Sequence, residues 1–242
     1  MTKVVLSGTG KMGNVVKELL DEASDFEVVG QVGIENKGDL ETLPTADLVM
    51  DFSHPGMLPG IIDYTKRTQA DVLCGTTGLT DADIDQLKSL SDKVAVLWSG
   101  NFSLGIAVLR RMCEEVGKYL GDWDEEIVEI HHNQKQDAPS GTALMLAHAL
   151  DPKGEKHLVH GREGMVGPRP KDEIGMHSLR GGTVAGTHEV YFFGTDEELT
   201  LTHRASSRVI FAEGALTAAR KLVNKKPGWY TFDSLIFGED GK

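Results

Sequence analysis

A glycine-rich turn, Gly8-Thr9-Gly10-Lys11-Met12-Gly13, stands between a short apolar run at residues 4–6 and a stretch with helical spacing at 12–20. A strand that turns on glycines directly into a helix is the entry to a doubly wound α/β sheet. The segments that follow keep the alternation. FEVVGQV (26–32) reads as the second strand, DLVMDFS (47–53) as the third, DVLCG (71–75) as the fourth and VAVLW (94–98) as the fifth, with a helix at 57–67. Thr80 reads as an N-cap with Asp83 completing a capping box at N3. Strands alternating with helices of this length imply a parallel, Rossmann-like sheet.

After Asn101 the pattern changes. A helix is expected at 103–120, then the strand-like EEIVEIHH (125–132), then a helix capped by Ser140. Residues 151–182 are rich in Gly, Pro and charge and read as a long loop. Two antiparallel strands follow, 182–193 and 197–205, around the turn Gly194-Thr195-Asp196. A last helix is expected at 207–224, and 228–236 reads as a short strand returning to the first domain. The expectation is therefore two domains, 1–102 plus 211–242 and 103–210, the second an α+β unit with a mixed, largely antiparallel sheet.

Composition narrows the class of ligand. The 242 residues carry 25 Lys+Arg against 37 Asp+Glu, a net charge of −12. Such a chain does not suit nucleic acid along a broad face, and any anion must be met by locally gathered cations. No signal peptide or apolar run of about 18 residues is read, so a cytoplasmic protein without a membrane partner is expected. The two cysteines, Cys74 and Cys113, make no CxxC and no disulfide framework.

The glycine turn has the context of a dinucleotide fingerprint. Glycines let a pyrophosphate approach the backbone, and the helix N-terminus offers N–H groups and partial positive charge. Glu35, 22 residues past Gly13, stands where an acid holds the ribose hydroxyls. Lys11 and Lys37 lie where a lysine can reach a 2′-phosphate, or are solvated surface lysines, so NADPH and NADH both stay open. Gly75-Thr76-Thr77-Gly78 and Ser99-Gly100-Asn101-Phe102 follow the fourth and fifth strands, where such sheets bind ligands.

The segment EIHHNQKQDAPSGTA (129–143) carries the second site. Side chains alternate along a strand, so His131 shares a face with Glu129 while His132 points the other way if the strand continues. Two histidines facing apart do not chelate, and no further ligands stand at zinc spacing, so no metal site is expected. His131, His132 and Lys135, followed by a helix beginning Ser140-Gly141-Thr142, suit an acid, with free N–H groups for a carboxylate. Histidine and lysine can also move protons as hydride arrives. Ser140 is equally placed to cap the helix.

At these residues the sequence resembles the 4-hydroxy-tetrahydrodipicolinate (dihydrodipicolinate) reductase family. The resemblance runs along nearly the whole chain: GTGKMG (8–13), DFS (51–53), GTTG (75–78), NFSLG (101–105), EIHHNQKQDAPSGTA (129–143), GTHEVYF (186–192) and THRASSR (202–208). It implies reduction of a cyclic dicarboxylate in lysine biosynthesis, with loss of water and hydride from NADPH or NADH. It implies His131 as proton donor or acceptor and Lys135 as proton donor. His132, Gly141 and Thr142 would bind the substrate carboxylates, beside Ser140 of the helix start read above as a carboxylate clamp. The cofactor would lie along Gly8 to Gly13, Glu35, Gly75 to Thr77 and Ser99 to Phe102. A homotetramer assembled through the sheet of the second domain, which also binds substrate, is implied as well. A semialdehyde dehydrogenase of similar plan would need a nucleophilic cysteine in the second domain. Cys113 lies in an apolar-periodic helix without a paired histidine, and a non-catalytic NAD sensor would not need the histidine–lysine cluster.

Overall fold

The computed structural model describes residues 1–238, so residues 239–242 of the expected first domain lie outside the described residues. The chain divides into two compact units, the first from Met1–Ser103 with the chain from Val209 onward, the second Leu104–Arg208.

The first unit is built on β1 (Thr2–Ser7), β2 (Phe26–Val32), β3 (Leu48–Asp51), β4 (Asp71–Cys74), β5 (Ala95–Trp98) and β11 (Gly228–Tyr230). Their order is β11-β5-β4-β3-β1-β2, and every pairing is parallel. A sheet covered on both faces needs strands that are apolar throughout. Val4, Val5 and Leu6 in β1, and Leu48, Val49 and Met50 in β3, are accordingly fully buried. Helices α1 (Lys11–Glu22), α2 (Leu58–Thr68), α3 (Asp81–Lys88) and α6 (Val209–Leu222) belong to this unit, with a short α7 (Phe232–Phe237) after β11. The α3 capping box is formed, Thr80 accepting from the Asp83 N–H and Asp83 from that of Thr80.

The third strand is shorter than the 47–53 expected. The Phe52 N–H still donates to the Ser7 carbonyl of β1 at 2.7 Å, but Ser53 then leaves the ladder, its N–H donating to Thr76 Oγ1 at 2.9 Å and its Oγ to the Asp51 carboxylate.

The strand order reverses at β1, with β2 on one side of it and β3 on the other, and the glycine turn follows β1 at that point. Gly8 has φ of 139°, and a Cβ there would lie 2.4 Å from the Phe52 carbonyl oxygen. A Cβ on Gly13 would lie 2.4 Å from the Gly8 carbonyl oxygen. Neither position admits a side chain without moving backbone.

The second unit holds α4 (Leu104–Leu120), β6 (Asp124–His131), α5 (Gly141–Leu150), β7 (His157–Val159), β8 (Glu173–Arg180), β9 (Gly186–Phe193) and β10 (Glu198–Ala205). Its sheet runs β10-β9-β6-β8-β7. The β9–β10 hairpin is antiparallel as expected, with the Gly194 N–H donating to the Glu197 carbonyl across the turn and Asp196 at φ 62°. Residues 151–182 are a correction: β7 and β8 lie within them. β8 pairs parallel with β6 along its length, so the mixed sheet has two parallel pairings beside two antiparallel ones. The loop reading failed because β8, EIGMHSLR, interrupts its apolar positions with Gly, His, Ser and Arg. Only Ile174 and Met176 carry its core face, with Ile127, Val190 and Phe192 beside them under α4 and α5.

Gly8→Ala should cost about 1–3 kcal/mol through backbone strain and collision. Calorimetry should register this as a lowered unfolding temperature; an unchanged temperature would contradict the close approach to Phe52.

Candidate active site

In the first unit the proposed cofactor residues fall at the ends of β1, β2, β4 and β5. The Gly8 N–H donates to the Val32 carbonyl at 2.7 Å, and Gln31 Nε2 donates to the Gly8 carbonyl at 2.9 Å, so the turn is fixed against β2. Gly10 caps α1 and faces open space, while Thr9 and Lys11 are exposed and Met12 is half-buried. Glu35 and Lys37 are exposed in a 3-10 segment that begins at Ile34, just past β2. This cradle, closed to any Cβ at Gly8 and Gly13 and open at Gly10, fits a pyrophosphate over a helix N-terminus.

The strand ends beside it are pinned by Asp51, a buried carboxylate. It accepts from Thr76 Oγ1 at 2.6 Å, from Cys74 Sγ at 3.3 Å and from Ser53 Oγ. Ser53 N donates to Thr76 Oγ1 at 2.9 Å, and Ser7 Oγ donates to Ser53 Oγ at 3.1 Å. The Thr76 hydroxyl is thus committed within the protein. Phe102 is buried between Phe52 and Phe232 at ring distances of 5.6 and 5.4 Å. Thr77 and Gly100 are exposed, Gly75 and Asn101 are half-buried, and Ser99 Oγ closes its own turn onto the Asn101 carbonyl at 2.6 Å. Burial, and next the charge of Asp51, raise the Cys74 thiol well above its ordinary range. Burial pushes Cys113 up to about 12. Neither thiol is a nucleophile near neutral pH.

In the second unit the centre is β6. Glu125, Ile127, Glu129 and His131 point to the buried face, the intervening residues to a half-buried one. The strand ends at His131, one residue earlier than expected. His132 leaves the ladder because its N–H donates to the Val184 carbonyl at 2.8 Å, and Asn133 follows onto Gly182 at 3.2 Å. The two histidines still face apart. His131 Nδ1 bonds Glu129 Oε2. His132 Nδ1 accepts from the Gln134 N–H at 3.2 Å, and its Nε2 lies 3.0 Å from Arg208 Nη2. Among the described residues no group of three His, Cys, Asp or Glu is placed to hold a metal ion.

Lys135 reaches Asp137 through Nζ at 2.8 and 3.0 Å, and this hydrogen bond holds the Asp137 carboxyl below its usual value. Ser140 caps α5, its Oγ accepting from the Ala143 N–H at 3.2 Å and lying 3.1 Å from His188 Nε2. Ser140 is buried, whereas a Cβ on Gly141 would meet nothing within 4 Å. The first turn of α5 is therefore open at Gly141, and Thr142 follows it half-buried.

Three residues here carry no expectation from the sequence: Glu129 as an ion, Arg180 and His188. Glu129 is fully buried and accepts from Arg180 Nη1 at 2.9 Å and Nη2 at 2.7 Å, and from the Ser140 N–H at 3.2 Å. Burial alone would raise its pKa; hydrogen bonds from Arg180, His131 and Ser178 outweigh that and bring it down to about 2. Burial lowers His131, against the pull of Glu129, and takes His188 down to about 4 with help from His131. Glu129 was legible as the strand neighbour of His131 on the same face. Arg180 was hidden in the supposed loop.

Residues 2–102 match the family described as dihydrodipicolinate reductase, N-terminus, and residues 105–236 match dihydrodipicolinate reductase, C-terminus. The chain belongs to the dihydrodipicolinate reductase family. It is 39% identical to the 4-hydroxy-tetrahydrodipicolinate reductase of Caldanaerobacter subterraneus, with 98% of each chain covered. It is 42% identical to that of Aquifex aeolicus, over 96% of this chain and 97% of the relative. Among solved structures, a dipicolinate-bound dihydrodipicolinate reductase from Paenisporosarcina sp. TG-14 shares the fold. Its TM-score is 0.75 at 23% identity, over 96% of this chain and 97% of that one. The first unit of this reductase is thus a Rossmann-type dinucleotide-binding domain, in a family that reduces with NAD(P)H.

The Glu129 carboxylate contributes stability that is fully present above its ordinary value of 4.5 and is lost as the pH falls toward about 2. Urea midpoints measured from about pH 5 down to about pH 2.5 should therefore fall less steeply for Glu129→Gln than for the wild type. Parallel slopes would rule this out.

Proposed function

We propose that this protein reduces 4-hydroxy-tetrahydrodipicolinate to tetrahydrodipicolinate, with loss of water, using NADPH or NADH. The observation that carries the reading is the gathering of His132, Lys135 and Arg208 beside His131 at the end of β6, together with the open first turn of α5, in a chain whose net charge is −12. A local cationic patch on an acidic protein is selective for a compact anion, and a cyclic dicarboxylate suits its two kinds of contact.

The substrate is bound by the second unit. One carboxylate lies on the first turn of α5, at Gly141 and Thr142, where the helix dipole and N–H groups favour negative charge. Ser140 supports that turn through its cap rather than through a free hydroxyl. His132, held beside Arg208, contributes to the same anion. Lys135, half-buried, exchanges its exposed partner Asp137 for the substrate and donates a proton; the Asp137 carboxylate is readily taken up by water when the lysine leaves it. His131 gives or takes the second proton. When bound in the cradle of Gly8, Thr9, Gly10, Lys11, Met12 and Gly13, the nicotinamide dinucleotide supplies hydride. Glu35 holds its ribose, and the backbones at Gly75–Thr77 and Ser99–Phe102 line its nicotinamide half. We propose further that the chain works in the cytoplasm as a homotetramer assembled through the second unit's sheet.

The direct experiment is NADPH oxidation in the presence of the product of dihydrodipicolinate synthase, with NADH in parallel; no oxidation of either would sink the assignment. Lys135→Ala should lower kcat by at least about 10²-fold while leaving NADPH binding nearly unchanged, and near-wild-type turnover would remove the lysine from the proton path. Pyridine-2,6-dicarboxylate should inhibit competitively. Lack of inhibition or thermal protection at about millimolar levels would contradict a dicarboxylate pocket.

A further inference from the structure

Glu129 and its partner Arg180 touch no side chain assigned above to substrate or cofactor except the His131 ring, the one ring from which a proton would move. His131 Nδ1 bonds Glu129 Oε2. The carboxylate is fully buried and cannot trade this contact for water. Arg180 grips both its oxygens, at 2.7 and 2.9 Å, and the Ser140 N–H reaches Oε1 at 3.2 Å. Arg180 is itself held by the Leu179 carbonyl at 2.7 Å and the Asp137 carbonyl at 2.8 Å. An ionised carboxylate only accepts, so the hydrogen in the Glu129–His131 contact belongs to the ring. A neutral imidazole with its hydrogen on Nδ1 has its lone pair on Nε2. A Cβ at Gly186 would stand 3.1 Å from that Nε2, so the glycine keeps the space beside the nitrogen clear.

We infer that Glu129, clamped by Arg180, is the positioning residue that fixes His131 with its hydrogen on Nδ1 and so presents Nε2 for proton transfer. This rests on the reading of His131 as the proton donor or acceptor. The charged and titratable groups that face the ring are Glu129 from β6, Lys135 from the turn after it, Arg180 from β8, and His188 from β9 with ring centroids 5.2 Å apart. Burial, Lys135 and Arg180 keep the resting ring neutral against the pull of Glu129. A proton gained or lost at Nε2 then leaves the Nδ1 hydrogen where it is. Glu129 stays ionised throughout and stabilises the imidazolium that forms between the two steps.

The test is 15N NMR of the nine histidines, with the His131 signals identified by their loss in His131→Gln. The wild type should carry its hydrogen on Nδ1. In Glu129→Gln, Arg180 keeps the amide oxygen, the amide N–H turns toward Nδ1, and the hydrogen should shift to Nε2. In parallel kcat should fall by about 10²-fold or more with KM little changed. A wild-type ring with its hydrogen on Nε2 overturns the inference, and needs no folded Glu129 variant. A Glu129→Gln enzyme of lowered stability but with the wild-type tautomer and kcat within about threefold also overturns it, because that is the signature of a brace alone. If the wild type turns over no hydroxy-tetrahydrodipicolinate, the functional reading fails, and the tautomer measurement still decides this inference.

Discussion

A charge with no access to water holds the second unit together. Taking a carboxylate out of water costs several kcal/mol, and only close opposite charge and well-made hydrogen bonds return it. At Glu129 that return comes from three directions: Arg180 at the end of β8, His131 on its own strand, and the backbone before α5. The carboxylate therefore does not merely sit in a finished site. It defines where the end of β6, the end of β8 and the start of α5 must lie relative to one another. Loss of Arg180 would leave the Glu129 charge buried without its ionic partner, a cost of about 3–5 kcal/mol.

The first unit uses a related device with neutral donors. Asp51 at the end of β3 gathers Ser53, Cys74 and Thr76, and through Ser53 reaches Ser7 at the end of β1. The strand ends are where an open α/β sheet places its ligands. In both units, then, one buried acid sets the positions of the loops that leave the strand ends. Thr76 and Ser140 illustrate the arrangement: their hydroxyls serve the scaffold, while their neighbours Thr77 and Gly141 are exposed.

Much of this was legible in the chain. The parallel sheet followed from apolar runs separated by helical spacing, and Thr80 with Asp83 announced a helix start that the structure forms. The alternation in EEIVEIH put Glu129 and His131 on one face, as they are. Two things escaped. Where β6 stops depends on carbonyls at Val184 and Gly182, more than forty residues on, which no local pattern records. Arg180 lay in a segment whose Gly, Pro and charge masked a strand, because β8 needs only Ile174 and Met176 for its core face and spends the rest on polar neighbours. Partners of a buried ion are set by three-dimensional adjacency; the ion itself can be read from strand periodicity, its counter-ion cannot.

The return of the chain to its first unit has a consequence for synthesis. Strand β11 pairs with β5, yet residues 104–208 are made between them. As the polypeptide emerges N-terminus first, the parallel sheet has β1 to β5 at hand but lacks α6 and its edge strand until the whole second unit has been translated. The nascent first unit therefore waits with one side of β5 unpaired, an exposed edge of the kind that invites wrong partners. The short length of β5, Ala95–Trp98, limits how much of that edge is offered during the wait.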